Sequence, residues 1–302
     1  AADQSALASL DPPHLTAMIV TYGPSSYYHH AMRHNGALEM RFFIYAFLMA
    51  ATSREALADP TIKAALDEAY ANIWEWVDSY PVTRGGSPLR LVPSYEQWCL
   101  DVITRASYDD YWRQPGYGPR PWYDDHADVP TLYIGGWYDT YTRSTVENFA
   151  AMSARQDTPV HLLMGPWTHG GVGQPVAGDA SFLPDGGLSD HEATRLRWFD
   201  HHLKDLPTGL DRERPVRYFV MGGGPGPKAT SKLVVAGGRW RTADAWPPEG
   251  CEPTALYLRA DGALSEDAPA DDAAPSRYSF DPSDPVPTIG GHLSAIPIPP
   301  GA

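Results

Sequence analysis

The sequence predicts an α/β protein that carries an inserted helical segment and a β-rich C-terminal region, and three observations support this class. First, short apolar runs at residues 129–134 and 160–164 flank a helical pattern, and a strand, a helix and a strand in succession form a βαβ unit with a parallel sheet. Second, the apolar spacing is helical across residues 41–111. Third, no helical pattern follows Pro215, and short apolar runs alternate there with Gly, Pro and Asp turns.

The N-terminal residues predict the end of a helix followed by a strand. An apolar stripe is formed by Ala6, Leu7 and Leu10. The Asp-Pro-Pro sequence at residues 11–13 ends it, because a proline disfavours the α conformation of the residue before it. Residues 15–20 then form a short apolar run, which we interpret as a buried strand.

The central region predicts a helical unit. Its clearest helix starts at Asp59, which can cap the first turn, with Pro60 at the first helical position. Apolar residues then recur three or four positions apart as far as Val77, and Pro81 ends the pattern. A weaker helical pattern covers residues 95–100.

The βαβ unit and the residues after it predict two further helices and a series of strands. The first helix is expected to begin at Ser144, with Glu147 three residues later as its capping partner, and the second covers residues 189–204. Short strands typical of a sandwich or jelly roll are predicted at residues 216–220, 233–235, 255–258 and 278–280, with a solvated loop at residues 261–275.

Composition excludes several classes of protein. The chain has 302 residues, enough for two or three domains, and 43% of them are hydrophobic, which is sufficient for a packed core. It carries 23 Lys and Arg against 37 Asp and Glu, a formal charge of −14, which argues against nucleic acid and anionic membranes as partners. The longest apolar run, residues 42–51, is half of the roughly 20 residues that a membrane span needs.

The two cysteines, Cys99 and Cys251, predict neither a disulfide framework nor a zinc site, since one distant pair offers no CxxC spacing. We expect both to be buried free thiols in a reducing compartment, and therefore a cytoplasmic protein. No cofactor and no metal are predicted.

Two polar residues follow consecutive predicted strands. Asp139 comes shortly after the Gly135-Gly136 pair, and His169 follows Gly165-Pro166. Catalytic groups gather at the carboxyl ends of the strands in open parallel sheets. An acid followed by a histidine is the chain order of the last two members of an α/β-hydrolase triad. We therefore expect the carboxylate and the imidazole to lie within hydrogen-bond reach of each other.

The motifs around these residues resemble those of the serine hydrolases grouped with cocaine esterase and X-Pro dipeptidyl peptidase, the CocE/NonD type. The family's GWYD and GPW(S/T)H motifs correspond to residues 136–139 and 165–169. Other matching stretches occur in the same order along the chain: residues 12–17, 198–204, 216–222, 240–241, 246–247, 284–288 and 290–291.

This resemblance implies a domain organisation. It comprises a partial α/β-hydrolase core at residues 1–35 and 118–215, an inserted helical cap at residues 36–117, and the start of a C-terminal β jelly roll at residues 216–302. It also implies cleavage of ester or amide bonds by a Ser-His-Asp triad through an acyl-enzyme. Asp139 and His169 would be catalytic, and Tyr141 would contact the substrate.

The chain departs from the family at the nucleophile. The family's serine lies in a Gly-x-Ser-Tyr-x-Gly elbow, and no Gly-x-Ser-x-Gly sequence occurs here. The helix after that serine resembles residues 3–10, so we expect the elbow directly before Ala1. On this interpretation the chain is an internal fragment, or one chain of a split enzyme, and is inactive alone.

Two alternatives to an acyl esterase remain open at this stage, namely X-Pro dipeptidyl aminopeptidase activity and a non-catalytic homologue that acts as a binding or packing subunit. The expected partners are a small ester, amide or short peptide substrate and either the missing N-terminal segment or a second copy of the chain.

Several other polar clusters have a structural explanation that we favour. Residues 27–35 are expected to form a loop, so its histidines would lie on the surface or line the cap, although their i, i+4 spacing resembles a metal site. The pair at residues 201–202 is expected to pack on a helix. Five acidic residues could form either a solvated linker or a site for a substrate ammonium group, and we favour the linker. They are Asp109, Asp110, Asp124, Asp125 and Asp128.

Overall fold

The structure, a computed structural model, describes residues 2–188, 190–223, 233–284 and 286. The strands are β1 (Met18–Thr21), β2 (Arg33–His34), β3 (Ala37–Leu38), β4 (Thr131–Gly136), β5 (Val160–Gly165), β6 (Val176–Ala177), β7 (Ala180–Ser181), β8 (Val216–Met221), β9 (Val234–Val235), β10 (Gly238–Ala243), β11 (Tyr257–Leu258) and β12 (Leu264–Ser265). The α-helices are α1 (Ala2–Ala8), α2 (Tyr27–His30), α3 (Met40–Ala51), α4 (Arg54–Ala58), α5 (Pro60–Ala71), α6 (Ile73–Asp78), α7 (Pro93–Thr104), α8 (Thr142–Ser153) and α9 (His191–Lys204).

A five-stranded sheet with the order β1-β4-β5-β8-β10 forms the core. Strands β1, β4, β5 and β8 are parallel, and β10 adds an antiparallel edge. Every residue of β4 is buried, as expected for a parallel strand that is covered on both faces. The predicted βαβ unit is therefore confirmed, with α8 between β4 and β5.

The helical unit is present, and its internal boundaries differ from those predicted. The Asp59 carboxylate accepts hydrogen bonds from the backbone N–H groups of Thr61 at 2.8 Å and Ile62 at 3.4 Å, so the predicted cap is confirmed. The helix does not continue to Val77, because Asn72 leaves the helical conformation (φ −105°, ψ 35°) and separates α5 from α6. Helix α7 is longer at both ends than the weak pattern indicated.

The apolar residues of the helical unit form a separate core around α3, which packs against α5 and α7. Its fully or nearly fully buried members include Phe43, Phe47, Leu66, Ile73 and Leu89. The unit therefore has a core of its own and sits on the sheet domain as a cap.

The predicted capping role of Ser144 is wrong. Helix α8 begins two residues earlier, at Thr142, and Ser144 is completely buried, with its hydroxyl 3.2 Å from that of Ser25. Glu147 also contacts another part of the chain instead of its own helix end. A tertiary contact has replaced the local cap that the sequence pattern favoured.

Glu147 connects α8 to the segment that leads into the cap. Its carboxylate lies 2.7 Å from His30 Nε2, 3.0 Å from the Ser25 hydroxyl and 3.2 Å from Arg120 Nε. Burial alone would raise the pKa of Glu147, but the hydrogen bond from His30 and the charges of His30 and Arg120 outweigh it and hold that pKa below its usual value. Both connections between core and cap therefore meet at one carboxylate.

The C-terminal strands differ from the predicted arrangement. Strand β8, expected to open the C-terminal unit, pairs in parallel with β5 and extends the core sheet, so the boundary expected at residue 216 falls inside that sheet. The predicted strand at residues 278–280 is absent, and Tyr278 is 91% exposed. Within residues 233–284 the structure shows β9 to β12, which agrees with the predicted β-rich C-terminal region. The domain boundaries stay predictions.

Cys99 is buried, as predicted, and burial raises the pKa of its thiol to about 12, with a smaller contribution from the charge of Glu96. Cys251 is exposed, contrary to the prediction. Among the described residues, no helix combines the length and the apolar character needed to cross a lipid bilayer.

Replacing Glu147 with Gln is expected to lower the free energy of unfolding by about 1–3 kcal/mol at pH 7, because the buried partners lose their charged acceptor. Since the folded state lowers the pKa of Glu147, its stabilisation is present above the ordinary glutamate pKa of about 4.3 and is lost as the pH falls through the folded-state value. Urea unfolding at pH 7, 5 and 3.5 measures this. The exposed Glu266, changed to Gln, is the control, and equal effects of the two variants at pH 7 would refute the assignment.

Candidate active site

The pairing of β4 with β5 brings two chain segments to one edge of the sheet. The strands are parallel and in register, with Gly136 opposite Gly165, so both chains leave the sheet at the same level. Asp139 follows three residues after β4 ends, and His169 follows four residues after β5 ends. The register alone therefore places their side chains next to each other.

Asp139 and His169 form the contact that the sequence predicted. His169 Nδ1 lies 2.6 Å from Asp139 Oδ2. Asp139 Oδ1 accepts a 2.6 Å hydrogen bond from the backbone N–H of Tyr141. The Asp139 residue is 0% exposed, and a buried carboxylate is tolerated when such donors satisfy it.

Both strand ends depend on glycine. A Cβ atom on Gly136 would overlap the backbone carbonyl of Trp167, and one on Gly165 would overlap the Trp167 indole ring. Trp167 is itself completely buried, so it cannot move aside. The glycines in the two motifs let the His169 segment fold back closely over the Asp139 segment.

His169 lines a cavity between the sheet edge and the cap. The cavity has a volume of about 500 Å³, and His169, Tyr141 and Tyr22 lie on the core side while Phe42, Tyr45 and Trp98 lie on the cap side. The His169 ring centroid is 5.1 Å from that of Tyr22 and 5.4 Å from that of Tyr141. Because Asp139 engages Nδ1, Nε2 is the ring nitrogen available for chemistry.

Tyr22 is a site residue that the sequence analysis missed. It directly follows β1 at the same sheet edge and adopts a left-handed conformation, φ 56°, which is a strained conformation for a bulky residue. Its hydroxyl is buried without a hydrogen-bond partner among the described residues. Burial, with a smaller effect of the Asp139 charge, raises its pKa, so the phenol stays neutral. The strand-end rule that identified Asp139 would also have identified Tyr22.

Arg41 is a second missed residue, and it connects the cap to the loop that carries Asp139. Its Nη1 donates a 2.9 Å hydrogen bond to the hydroxyl of Thr140, which lies between Asp139 and Tyr141, and its Nε forms a 2.9 Å ion pair with Glu39. Its guanidinium carbon lies 5.8 Å from the centre of the Tyr141 ring. A basic residue at the start of a predicted helix gave no signal for this role.

The histidines at residues 27–35 line one cavity of about 410 Å³ beside α8, but they do not converge on a common point. They lie partly in helix α2, where a loop was predicted, and each contacts a different partner: His29 contacts Asn35, His30 contacts Glu147 and His34 contacts Glu39. In the part of the chain that the structure describes, no three potential ligands come together as a metal site. The pair at residues 201–202 packs as predicted, with the His202 ring 4.3 Å from that of Trp198.

The acidic residues of the linker are paired or hydrogen-bonded away from the cavity. Asp109 pairs with Arg105, Asp110 with Arg113 and Asp124 with Arg155, while Asp128 accepts hydrogen bonds from Thr158. None of these acids, nor the exposed Asp125, lines the cavity of His169. This arrangement favours the solvated linker over a site for a substrate ammonium group.

Replacing Asp139 with Asn is expected to change the tautomer of His169. The Tyr141 N–H needs an acceptor, so the Asn oxygen would face it and the Asn NH₂ group would face His169 Nδ1. That nitrogen would then have to accept, which moves the ring proton to Nε2. The ¹⁵N chemical shifts of the two ring nitrogens should exchange order between the wild type and the variant. The same tautomer in both proteins would contradict the hydrogen-bond assignment.

Comparison with known proteins finds similar proteins for both parts of the chain. The family model of X-Pro dipeptidyl-peptidase (S15 family) matches residues 1–171, and that of the X-Pro dipeptidyl-peptidase C-terminal non-catalytic domain matches residues 208–289. The chain is 34% identical over 203 residues to the "Putative serine esterase" of Mycobacterium bovis, covering 66% of this chain and 27% of that protein. It is 29% identical over 216 residues to the cocaine esterase of a Rhodococcus species, covering 68% and 33%.

A solved structure shows the same fold. The chain superposes on the crystal structure of a CocE/NonD family hydrolase from Staphylococcus aureus with a TM-score of 0.52 and 19% sequence identity. The superposition covers 87% of this chain and 36% of the hydrolase chain. The chain thus spans 27% and 33% of the length of the two curated relatives. With an α/β-hydrolase sheet, a C-terminal β-rich region and matches across both parts, the chain belongs to the X-Pro dipeptidyl-peptidase (S15) family of serine hydrolases.

Proposed function

We propose that this chain supplies the acid and the base of a Ser-His-Asp triad that hydrolyses ester or amide bonds. The observation that carries the proposal is the hydrogen bond from His169 Nδ1 to the buried Asp139 carboxylate at the edge of a parallel sheet. In such a pair the carboxylate fixes the histidine tautomer and stabilises its cation.

The chemistry follows from that tautomer. With its proton on Nδ1, His169 accepts the serine hydroxyl proton at Nε2 while the serine oxygen adds to the substrate carbonyl carbon. The imidazolium then gives this proton to the leaving group as its bond to carbon breaks, which leaves an acyl-enzyme. Water attacks the acyl-enzyme by the same route, with His169 taking the proton from water and returning it to the serine oxygen.

We assign the nucleophile to a serine that precedes α1. No serine or cysteine among the described residues lines the cavity beside His169, whereas Ala2 and Asp3 in the first turn of α1 do. In α/β-hydrolases the nucleophile occupies the sharp turn between a strand and the following helix. A serine in that turn, upstream of Ala1, would therefore open into this cavity. Tyr141, which lines the cavity beside His169, is proposed to contact the substrate.

An X-Pro dipeptidyl aminopeptidase is the second candidate. It is supported by the matched family and by Asp3, a carboxylate that lines the cavity and could bind a peptide N-terminus. Faster cleavage of an X-Pro p-nitroanilide than of p-nitrophenyl esters would favour the peptidase over the esterase. A complete protein that cleaves neither would favour a non-catalytic binding subunit.

In the complete protein that carries this chain, His169→Ala is expected to reduce kcat for p-nitrophenyl acetate by a factor on the order of 10⁴, because the general base is lost. His191→Ala is the control, since His191 begins the surface helix α9 and pairs with Glu192. Near-normal turnover by His169→Ala, with a fold shown intact by circular dichroism, would refute the assignment of the base.

Residues 1–302 expressed alone are expected to show no ester turnover and no labelling of their own serines by a fluorophosphonate probe. Among the described residues no serine lies in the cavity beside His169, so Nε2 has no serine nucleophile to activate. Mass spectrometry of the probe-treated chain checks this. A labelled serine within residues 1–302, together with turnover, would show that the nucleophile has been assigned to the wrong place.

A further inference from the structure

A continuous series of aromatic rings leads from His169 into the cap. The Tyr141 ring centroid lies 5.4 Å from that of His169 and 6.2 Å from that of Tyr27. The Phe42 ring follows at 6.0 Å from Tyr27, and Tyr45 follows at 6.3 Å from Phe42. These edge-on and tilted contacts form one wall of the cavity, and the wall continues along α3 away from the sheet.

A second cavity begins where this wall ends. It has a volume of about 550 Å³ and lies between α3, α4 and α7. Tyr45 and Trp98 line both this cavity and the cavity of His169. Its inner lining includes Met49 and Tyr95, and the charged side chains of Arg54 and Glu55 lie at α4. The two cavities are therefore neighbours that share the side chains of Tyr45 and Trp98.

Helical spacing shows that the two cavities follow one path. Phe42, Tyr45 and Met49 are at positions i, i+3 and i+7 of α3, so they share one face. Tyr95 and Trp98 are three residues apart on α7, which packs against α3. From Phe42 to Met49 the helix rises about 10 Å. We call this surface, made by Phe42, Tyr45, Met49, Tyr95 and Trp98, the α3–α7 groove.

We propose that the α3–α7 groove binds the acyl chain of an ester or amide substrate, and that this chain is apolar, extended and about eight carbons long. This inference rests on the proposed function and specifies its substrate class. The lining offers aromatic and thioether surface, which favours an alkyl or aryl chain, and cavities of a few hundred Å³ suit small molecules rather than protein partners.

The acyl side is assigned because the acyl group stays on the enzyme through both half-reactions. The leaving group, in contrast, has to remain beside His169 to receive its proton and then depart to solvent. A groove that runs away from His169 behind Tyr141 can hold a chain without obstructing that departure. Its end at α4 is open to solvent, where Arg54 and Glu55 are exposed, so carbons beyond that end make no further contact.

The first test measures kcat/KM of the complete protein for p-nitrophenyl esters with acyl chains of two to twelve carbons. We expect an increase of about fourfold per methylene, which is the free energy of burying one CH₂ expressed as a rate ratio, up to about eight carbons and no increase beyond. A parallel series of alkyl acetates, which lengthens the alcohol side, should stay flat. An increase in the acetate series instead would overturn the acyl assignment.

Two variants test whether the preference for longer acyl chains depends on the groove. Met49→Arg introduces a charge into the lining, and Ser94→Trp fills the outer end, where Ser94 is exposed. Both should lower the ratio of kcat/KM for the octanoyl ester to that for the acetyl ester at least tenfold. Leu203→Arg, at an exposed apolar position of α9, is the control and should leave the ratio unchanged. An unchanged ratio in folded Met49→Arg and Ser94→Trp would overturn the proposal.

A binding measurement separates this inference from the proposed function. Dansylaminoundecanoic acid, a fluorescent fatty-acid probe, should bind the chain and lose at least tenfold in affinity in Met49→Arg and Ser94→Trp, but not in Met49→Leu. Cleavage of acetyl esters without chain-length preference would overturn the groove and leave the triad intact. Absence of all ester and amide cleavage, with probe binding that depends on Met49 and Ser94, would overturn the triad and support the groove.

Discussion

The Asp139 carboxylate has no contact with solvent, and the site depends on how that charge is satisfied. A buried charge without partners would cost several kcal/mol, so the chain must hold donors against both oxygens. The Tyr141 N–H and His169 Nδ1 supply them at 2.6 Å each. The parallel register of β4 and β5, and the glycines that allow Trp167 to pack between the strand ends, keep these donors in place. The same constraint that stabilises the carboxylate also fixes the ring nitrogen that faces the cavity.

The cap takes part in this arrangement as well as covering it. Arg41 on α3 donates to Thr140, the residue that follows Asp139, and Glu147 on α8 binds His30 and Arg120 on the two sides of the cap insertion. A displacement of the cap would therefore move the loop that carries the acid. One set of helices would then both shape the proposed substrate groove and support the proposed catalytic pair. Changes in the cap are therefore expected to affect turnover as well as specificity.

The sequence predicted those features that depend on chain order and local spacing. Asp139 and His169 could be found because consecutive parallel strands end at one edge, and the helix at Asp59 because its cap is formed by neighbouring residues. The role of Ser144 could not, since its partner Ser25 is distant in the sequence. Strand β8 showed the same difficulty: its local pattern predicts a strand, but only pairing with β5 places it in the core sheet. Tyr22 could have been found by the same strand-end rule as Asp139, because it directly follows β1.

The central claim is that Asp139 acts on the reaction through His169. A double-mutant cycle in the complete protein tests it, with kcat/KM for p-nitrophenyl acetate measured in the wild type, Asp139→Asn, His169→Ala and the double variant. If the two residues act as one unit, the double variant loses no more activity than His169→Ala alone. Losses that multiply, so that the double variant falls far below either single variant, would show that the two residues act independently and would contradict the account.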